Sequence, residues 1–189
     1  MASWIEIANA ALVRMGYGTT LTALDEDTKA ARTISAVMFM ERDAELRAHP
    51  WNFAWRRASL PALTIAPAFG YTHQYQLPAD WLRFVKPDDI SREWAIEGGL
   101  ILANEAGPLN IHYVRRVDEP GLFDPQFAIV LACRVAMTAC EELTGSAAKK
   151  QAISQELREA RAEARRIDGQ ENPPEDRAES DWLLSREAP

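Results

Sequence analysis

The chain has 189 residues, 47% of them apolar and 26% charged, with a formal net charge of −7. This is the composition of a soluble globular protein long enough to bury a sizeable core. It argues against a sequence-reading DNA-binding protein, which carries a basic face, while leaving room for a surface past which DNA slides without sticking.

Cys133 and Cys140 stand seven residues apart in one apolar stretch. On a helix that is about 10 Å along the axis, too far for a mutual disulfide, so both read as small buried side chains. The chain opens without a charged-then-apolar signal pattern. Its longest apolar run, 127–140, is too short for a bilayer and contains Arg134. A cytosolically made, reduced, soluble protein is expected.

Ser3 followed by Glu6 forms a capping-box pair, so helix 1 should start there. Trp4, Ala8, Ala11, Leu12 and Met15 fall at helical spacing, and Gly16 and Gly18 stop it. Asp25-Glu26-Asp27 places negative charge where helix 2 should begin, and that helix is expected to run to about Ala48. Ala30, Ile34, Val37, Glu41, Ala44 and Ala48 make one face of mostly small residues, with Met38, Phe39 and Met40 on the others. A helix apolar on several faces needs cover on several faces, and a neighbouring subunit is a natural cover.

Pro50 ends helix 2, because its ring lacks the N–H and disfavours a helical His49. In the corner 49–57, Trp51, Phe53 and Trp55 alternate with the period of a strand. Three rings are therefore expected on one side, pinned against the helices, with Arg56 and Arg57 leaving toward the surface. The period then stays at two. Strands are expected over 58–65, 71–77, 82–85, 93–97, 100–103 and 109–114, with a turn at 78–81. Gly98-Gly99 between apolar runs is a hairpin signal.

Pro120-Gly121 breaks the chain. Asp124 then caps helix 3, over 126–143, with Pro125 in its first position. Arg134 is the one charge in its first four turns and would be costly to bury alone. An ion pair with Glu41 or Glu45 is one reading; an arginine facing a channel is the other. Ser146 can cap helix 4, in which Ile153, Leu157, Ala160, Ala164 and Ile167 form one narrow seam. From Asp168 onward seven acids and two arginines give 2 − 7 = −5, with a single apolar cluster, Trp182-Leu183-Leu184. Such an arm cannot fold alone. The cluster reads as an anchor that docks into a partner, with a plain solvated tail as the alternative.

The expected fold class is thus α+β. A four-helix body, with two N-terminal and two C-terminal helices, carries a small antiparallel β module between helices 2 and 3. The segments are 1–50, 51–119 and 120–168, followed by an extended acidic arm, 169–189.

The chain carries no recognisable catalytic motif. His49, His73 and His112 lack metal-ligand spacing. There is no phosphate-binding glycine loop and no nucleophile elbow. Asp88-Asp89 and Glu141-Glu142 are adjacent in sequence, so their side chains diverge; a loop and a helix end are their expected places. Two carboxyls facing each other across about 5–9.5 Å, as in glycosidases, are a property of the fold and not of the sequence.

One resemblance runs through most of the chain. His49-Pro50-Trp51-Asn52-Phe53-Ala54, followed by Arg57-Ala58-x-Leu60, resembles the corner motif of the tail tubular protein A family, the head-to-tail adaptors or gatekeepers of short-tailed bacteriophages. Tyr75-Gln76-Leu77-Pro78-Ala79-Asp80-Trp81-Leu82-Arg83 is similar to a second family segment, and Glu97-Gly98-Gly99-Leu100-Ile101-Leu102 to its hairpin. Ile111-x-Tyr113-Val114-x-Arg116-Val117 and Phe123-Asp124-Pro125-x-Phe127 resemble its return into the third helix, and Arg42-Asp43 also fits. The likeness covers roughly 4–144; helix 4 and the arm match only in character.

The resemblance implies a structural virion protein at the head–tail junction. Identical subunits would form a ring, twelve-fold in the family, that joins the portal protein to a tail nozzle of the tail tubular protein B type. DNA would pass through the lumen during packaging, retention and ejection without sequence-specific binding. No catalytic residue, cofactor, metal or small-molecule substrate is implied. Trp182, Leu183 and Leu184 would contact the portal or a neighbouring subunit, and Pro50, Trp51, Phe53 and Trp55 would form a structural corner. The same resemblance keeps a second activity in view, a virion-associated peptidoglycan hydrolase acting during genome entry.

Overall fold

The computed structural model describes residues 2–87 and 93–171. The fold is α+β, in the order helices, strands, helices. Four helices, α1 (Trp4–Arg14), α2 (Lys29–Ala48), α3 (Pro125–Thr144) and α4 (Ala147–Gln170), form the body. Six strands lie between α2 and α3: β1 (Trp55–Leu60), β2 (His73–Gln76), β3 (Trp81–Pro87), β4 (Trp94–Glu97), β5 (Leu100–Ala103) and β6 (Leu109–Arg115).

The helix ends are set by their caps. Ser3 and Glu6 form the full capping box of α1. The Asp124 carboxylate accepts from the Gln126 and Phe127 amides at the start of α3. Ser146 accepts from the Lys149 amide at the start of α4. Gly145 ends α3 with φ +64°, a conformation that favours glycine. Helix α2 starts later than its acidic signal. Thr28 caps it, accepting from the Ala31 amide, while Glu26 folds back to accept from Thr22 and Ala23. A local threonine cap wins because it satisfies an otherwise orphaned N–H.

Helix α3 is the axis of the body and touches α1, α2 and α4. The shared core holds Leu12, Ile34, Met38, Trp51, Phe127 and Leu131, all fully buried. Met38 therefore lies on the inner face of α2, while Phe39 and Met40 face outward. Cys133 and Cys140 are free and buried; burial pushes the Cys133 thiol up, keeping it protonated at neutral pH.

The strands form two three-stranded antiparallel sheets, β1-β6-β3 and β2-β5-β4. They share a second core that includes Leu60, Tyr75, Phe84, Ile101, Leu109 and Ile111. Gly98 and Gly99, at φ +57° and +84°, make the two-residue turn between β4 and β5. Strand β1 runs earlier than its apolar pattern predicts, ending before Pro61, which cannot donate to the ladder. Strand β2 likewise begins at His73, two residues after the expected start.

The corner also differs from expectation. Residues 52–54 form a single 3₁₀ turn, so Trp51, Phe53 and Trp55 do not line one side of a strand. Trp51 and Phe53 enter the body core, whereas Trp55 meets the His112 ring edge-on at 5.5 Å. The two indoles explain the turn. Trp51 Nε1 donates to the Glu45 carbonyl, one of the last carbonyls of α2 that no longer has a helical partner. Trp55 Nε1 donates to the Pro50 carbonyl.

Candidate functional site

The segments that carry the family resemblance converge at the junction between body and module. Asp80, in the turn before β3, gathers the module's side of it. One carboxylate oxygen accepts from the Tyr113 hydroxyl at 3.0 Å and the other pairs with Arg56 at 3.1 Å, while its carbonyl accepts from the Arg116 amide at 2.6 Å. Burial, then the Asp80 bond, holds the Tyr113 hydroxyl above its usual range. Arg116 continues the chain of contacts to Asp43, and Asp43 pairs with Arg42, which also reaches Asp118. The hairpin is tied in through the Leu77 amide, which donates to the Gly99 carbonyl. Phe123 and Phe127 complete the junction by packing on Phe53 and, for Phe127, on Trp51.

Two further polar clusters fix the helices behind this junction. Glu45 is wholly buried and pairs with Arg134 from α3 and Arg161 from α4. Arg134 also pairs with Glu41, which accepts from Thr138. The Arg134 ion pair expected from sequence is present, to both acids. Burial alone would raise the Glu45 carboxyl; the hydrogen bonds and charges of Arg161 and Arg134 outweigh it and hold the group below the ordinary carboxylate value.

The second cluster was invisible to composition. Asp168, where the composition turns acidic, is a buried residue in the last turn of α4, which runs on through Gln170. It pairs with His49 Nε2 at 3.0 Å, accepts from the Asn52 amide at 2.9 Å, and offers its carbonyl to the Asn52 side chain at 2.7 Å. Arg161 and Asp168 each lie four residues beyond a seam residue, Leu157 and Ala164. That spacing, a charge continuing an apolar seam, was the available signal.

Four hollows on the surface are lined by no more than one carboxylate each: none in that of Arg57 and His112, and Glu6, Asp80 and Glu97 in the other three. Among the described residues no group of three or more His, Cys, Asp or Glu side chains is placed to hold a metal ion. None of the described helices is long and apolar enough to cross a membrane.

The uncovered apolar side chains fall into two sets. On the module, the loop between β1 and β2 exposes Ile65 at 74% and Phe69 at 88%, with Leu63, and β4 adds Trp94 and Ile96. On the body, Val13, Phe39, Met40 and Ile129 are exposed, with Leu122 just before α3. The expected anchor Trp182, Leu183 and Leu184, the arm from residue 172 onward, and Asp88-Asp89 lie outside the described residues. Glu141 and Glu142 end α3 and pair with Lys150 and Lys29. No family model matches the chain, and no curated protein matches it.

Proposed function

We propose that the protein is a ring-forming head-to-tail adaptor of a short-tailed phage, joining a portal protein to a tail nozzle around a DNA channel. The observation that carries this reading is the junction. The corner, the Tyr75–Arg83 segment, the Gly98-Gly99 hairpin, the Ile111–Val117 return and the start of α3 interlock through Asp80, Tyr113, Arg116 and the Phe53–Phe123–Phe127 cluster. Asp80, Tyr113 and Arg56 tie the strands of the module to one another, while Arg116–Asp43, Arg42–Asp118 and the Phe53–Phe123–Phe127 cluster tie the module to the body.

The two sets of exposed apolar side chains support the same reading. A protomer with large side chains uncovered on both body and module is suited to contacts at both. In this reading the body packs side by side and meets the portal, the β module faces the nozzle, and the acidic arm reaches a neighbour or the portal. The net charge of −7 keeps the lumen from gripping DNA.

Mass photometry of the purified protein, alone and mixed with its portal, tests this. A ring, or a portal-bound set of subunits, is expected. A chain that stays monomeric under both conditions would overturn the proposal, as would cell-wall clearing in a zymogram that disappears when a single carboxylate is replaced.

A further inference from the structure

Helix α4 carries an acid at the end that disfavours one. A helix C-terminus bears partial negative charge, which opposes a carboxylate in the last turn, yet Asp168 lies there with no basic side chain in that turn. Gly169 follows it, and glycine weakens a helix. The last turn also lacks apolar anchorage. Ala164 is the last buried apolar side chain of α4. Beyond it Arg165, Arg166, Gly169 and Gln170 are exposed and Ile167 is half-buried. On local grounds alone the helix would end near Ala164.

Three polar bonds tie that turn to the corner. Asp168 Oδ2 meets His49 Nε2 at 3.0 Å, its Oδ1 accepts from the Asn52 amide at 2.9 Å, and its carbonyl accepts from the Asn52 side chain at 2.7 Å. The Asn52 amide opens the 3₁₀ turn, and Trp51 before it supplies no side-chain cap. Asp168 therefore caps the turn from another helix. His49 in its turn sets its ring edge-on to Trp51 at 4.6 Å. Past the 3₁₀ turn the chain runs directly into β1 at Trp55. One turn of α4 thus fixes the link between body and module, through bonds that water can replace. Seven residues earlier Arg161 pairs with buried Glu45, whose carbonyl holds the Trp51 indole. That contact stops an unwinding from passing further into α4.

We propose that residues 165–170 form a latch. Closed, as in this structure, Asp168 caps the 3₁₀ turn and holds the corner. Open, the helix unwinds back to Ala164, the Asn52 amide is released, and the corner between body and β module loosens. Engagement of the chain beyond Glu171 is thereby coupled to the seat of the module. The latch belongs to the protomer and stands apart from the adaptor reading.

The test is hydrogen exchange of the full chain, read by mass spectrometry, for wild type and Asp168→Ala. Alanine is the better helix former and removes the carboxylate that opposes the helix dipole. If Asp168 only ended α4, exchange over 165–170 would slow or stay the same, and that result overturns the proposal. For a latch, exchange should quicken about ten-fold at 165–170 and at 52–55 together, with α1 and α3 unchanged. Quickening at one of the two segments alone would overturn the coupling. Quickening throughout α1 and α3 would make Asp168 part of the global fold and overturn a local latch. A second variant starts from the other side. Coupling between two sites acts both ways, so His49→Ala should quicken exchange over 165–170. An unmoved last turn rules the latch out.

Discussion

The body and the β module bury their apolar side chains to different degrees. The body wraps three helices around α3 and locks them with internal charge, Glu45 between Arg134 and Arg161. The module has a smaller core between two short sheets and carries the most exposed aromatic side chain of the described chain, Phe69, on a loop. The body's helices are held together by a shared core and internal ion pairs, although Val13 and Met40 stay in water. The module leaves Ile65 and Phe69 in water on one loop, a feature of contact surfaces.

The sharpest way to break this contrast is at the corner, where the two regions share a stretch of chain. Trp51 is fully buried in the body core and Trp55 is half-buried beside His112. Trp51→Ala should cost about 3–5 kcal/mol in a denaturant melt. Trp55→Ala should cost about half of that, in proportion to the smaller area it buries. Equal costs would mean that the corner does not divide its rings between body and module.

Next in size is the charge inside the body. Removing one partner of a fully buried ion pair costs about 3–5 kcal/mol. Arg134 and Arg161 keep some water contact, so Glu45→Gln should cost less, about 2 kcal/mol. The sign with pH follows from the lowered Glu45 carboxyl. Its contribution is complete above the ordinary carboxylate value of 4.5 and is lost as pH falls through the lower folded value. Half-buried Glu26 and exposed Glu141 and Glu163 are shifted the same way. Only the difference between wild type and Glu45→Gln isolates the buried group. That difference should shrink below pH 4.5, and a constant difference down to the acid transition would remove Glu45 from the account.

Most of the body was legible in the sequence, because caps and 3.6-residue spacing are local signals. Ser3 with Glu6, Asp124 with Pro125, and Ser146 each marked a helix start that the structure keeps. The corner was misread because alternation alone cannot separate a strand from a 3₁₀ turn whose two flanking indoles donate back to the carbonyls of Glu45 and Pro50. Asp168 was set at the very end of helix 4, where the composition turns acidic, and its part in the core was missed although its spacing from Ala164 continues the α4 seam. Asp80 was seen as part of a turn. Its role depends on Tyr113 and Arg116, more than thirty residues away and fixed only by the β3–β6 register.

The junction gives a smaller effect than either core. Asp80→Asn keeps the side chain's shape but weakens its bonds to Arg56 and Tyr113, for about 1–2 kcal/mol. If the two groups act as one lock, Asp80→Asn and Tyr113→Phe should be non-additive by at least about 0.5 kcal/mol in a double-mutant cycle. Additive costs would show that Asp80 and Tyr113 do not act as one lock within the β1-β6-β3 sheet.

The smallest change in stability should accompany the largest change in assembly. Phe69 is 88% exposed and Ile65 74% exposed, so neither contributes to the protomer's core. Replacing both with serine should shift the melt by no more than about 0.5 kcal/mol. In the adaptor reading the same double variant should join the portal through the body but fail to hold the nozzle in co-sedimentation. Loss of portal binding with the nozzle contact intact would reverse the assignment of the two ends. A destabilisation of several kcal/mol would instead place Ile65 and Phe69 against the module's own core, and the loop would no longer be a surface kept for a partner.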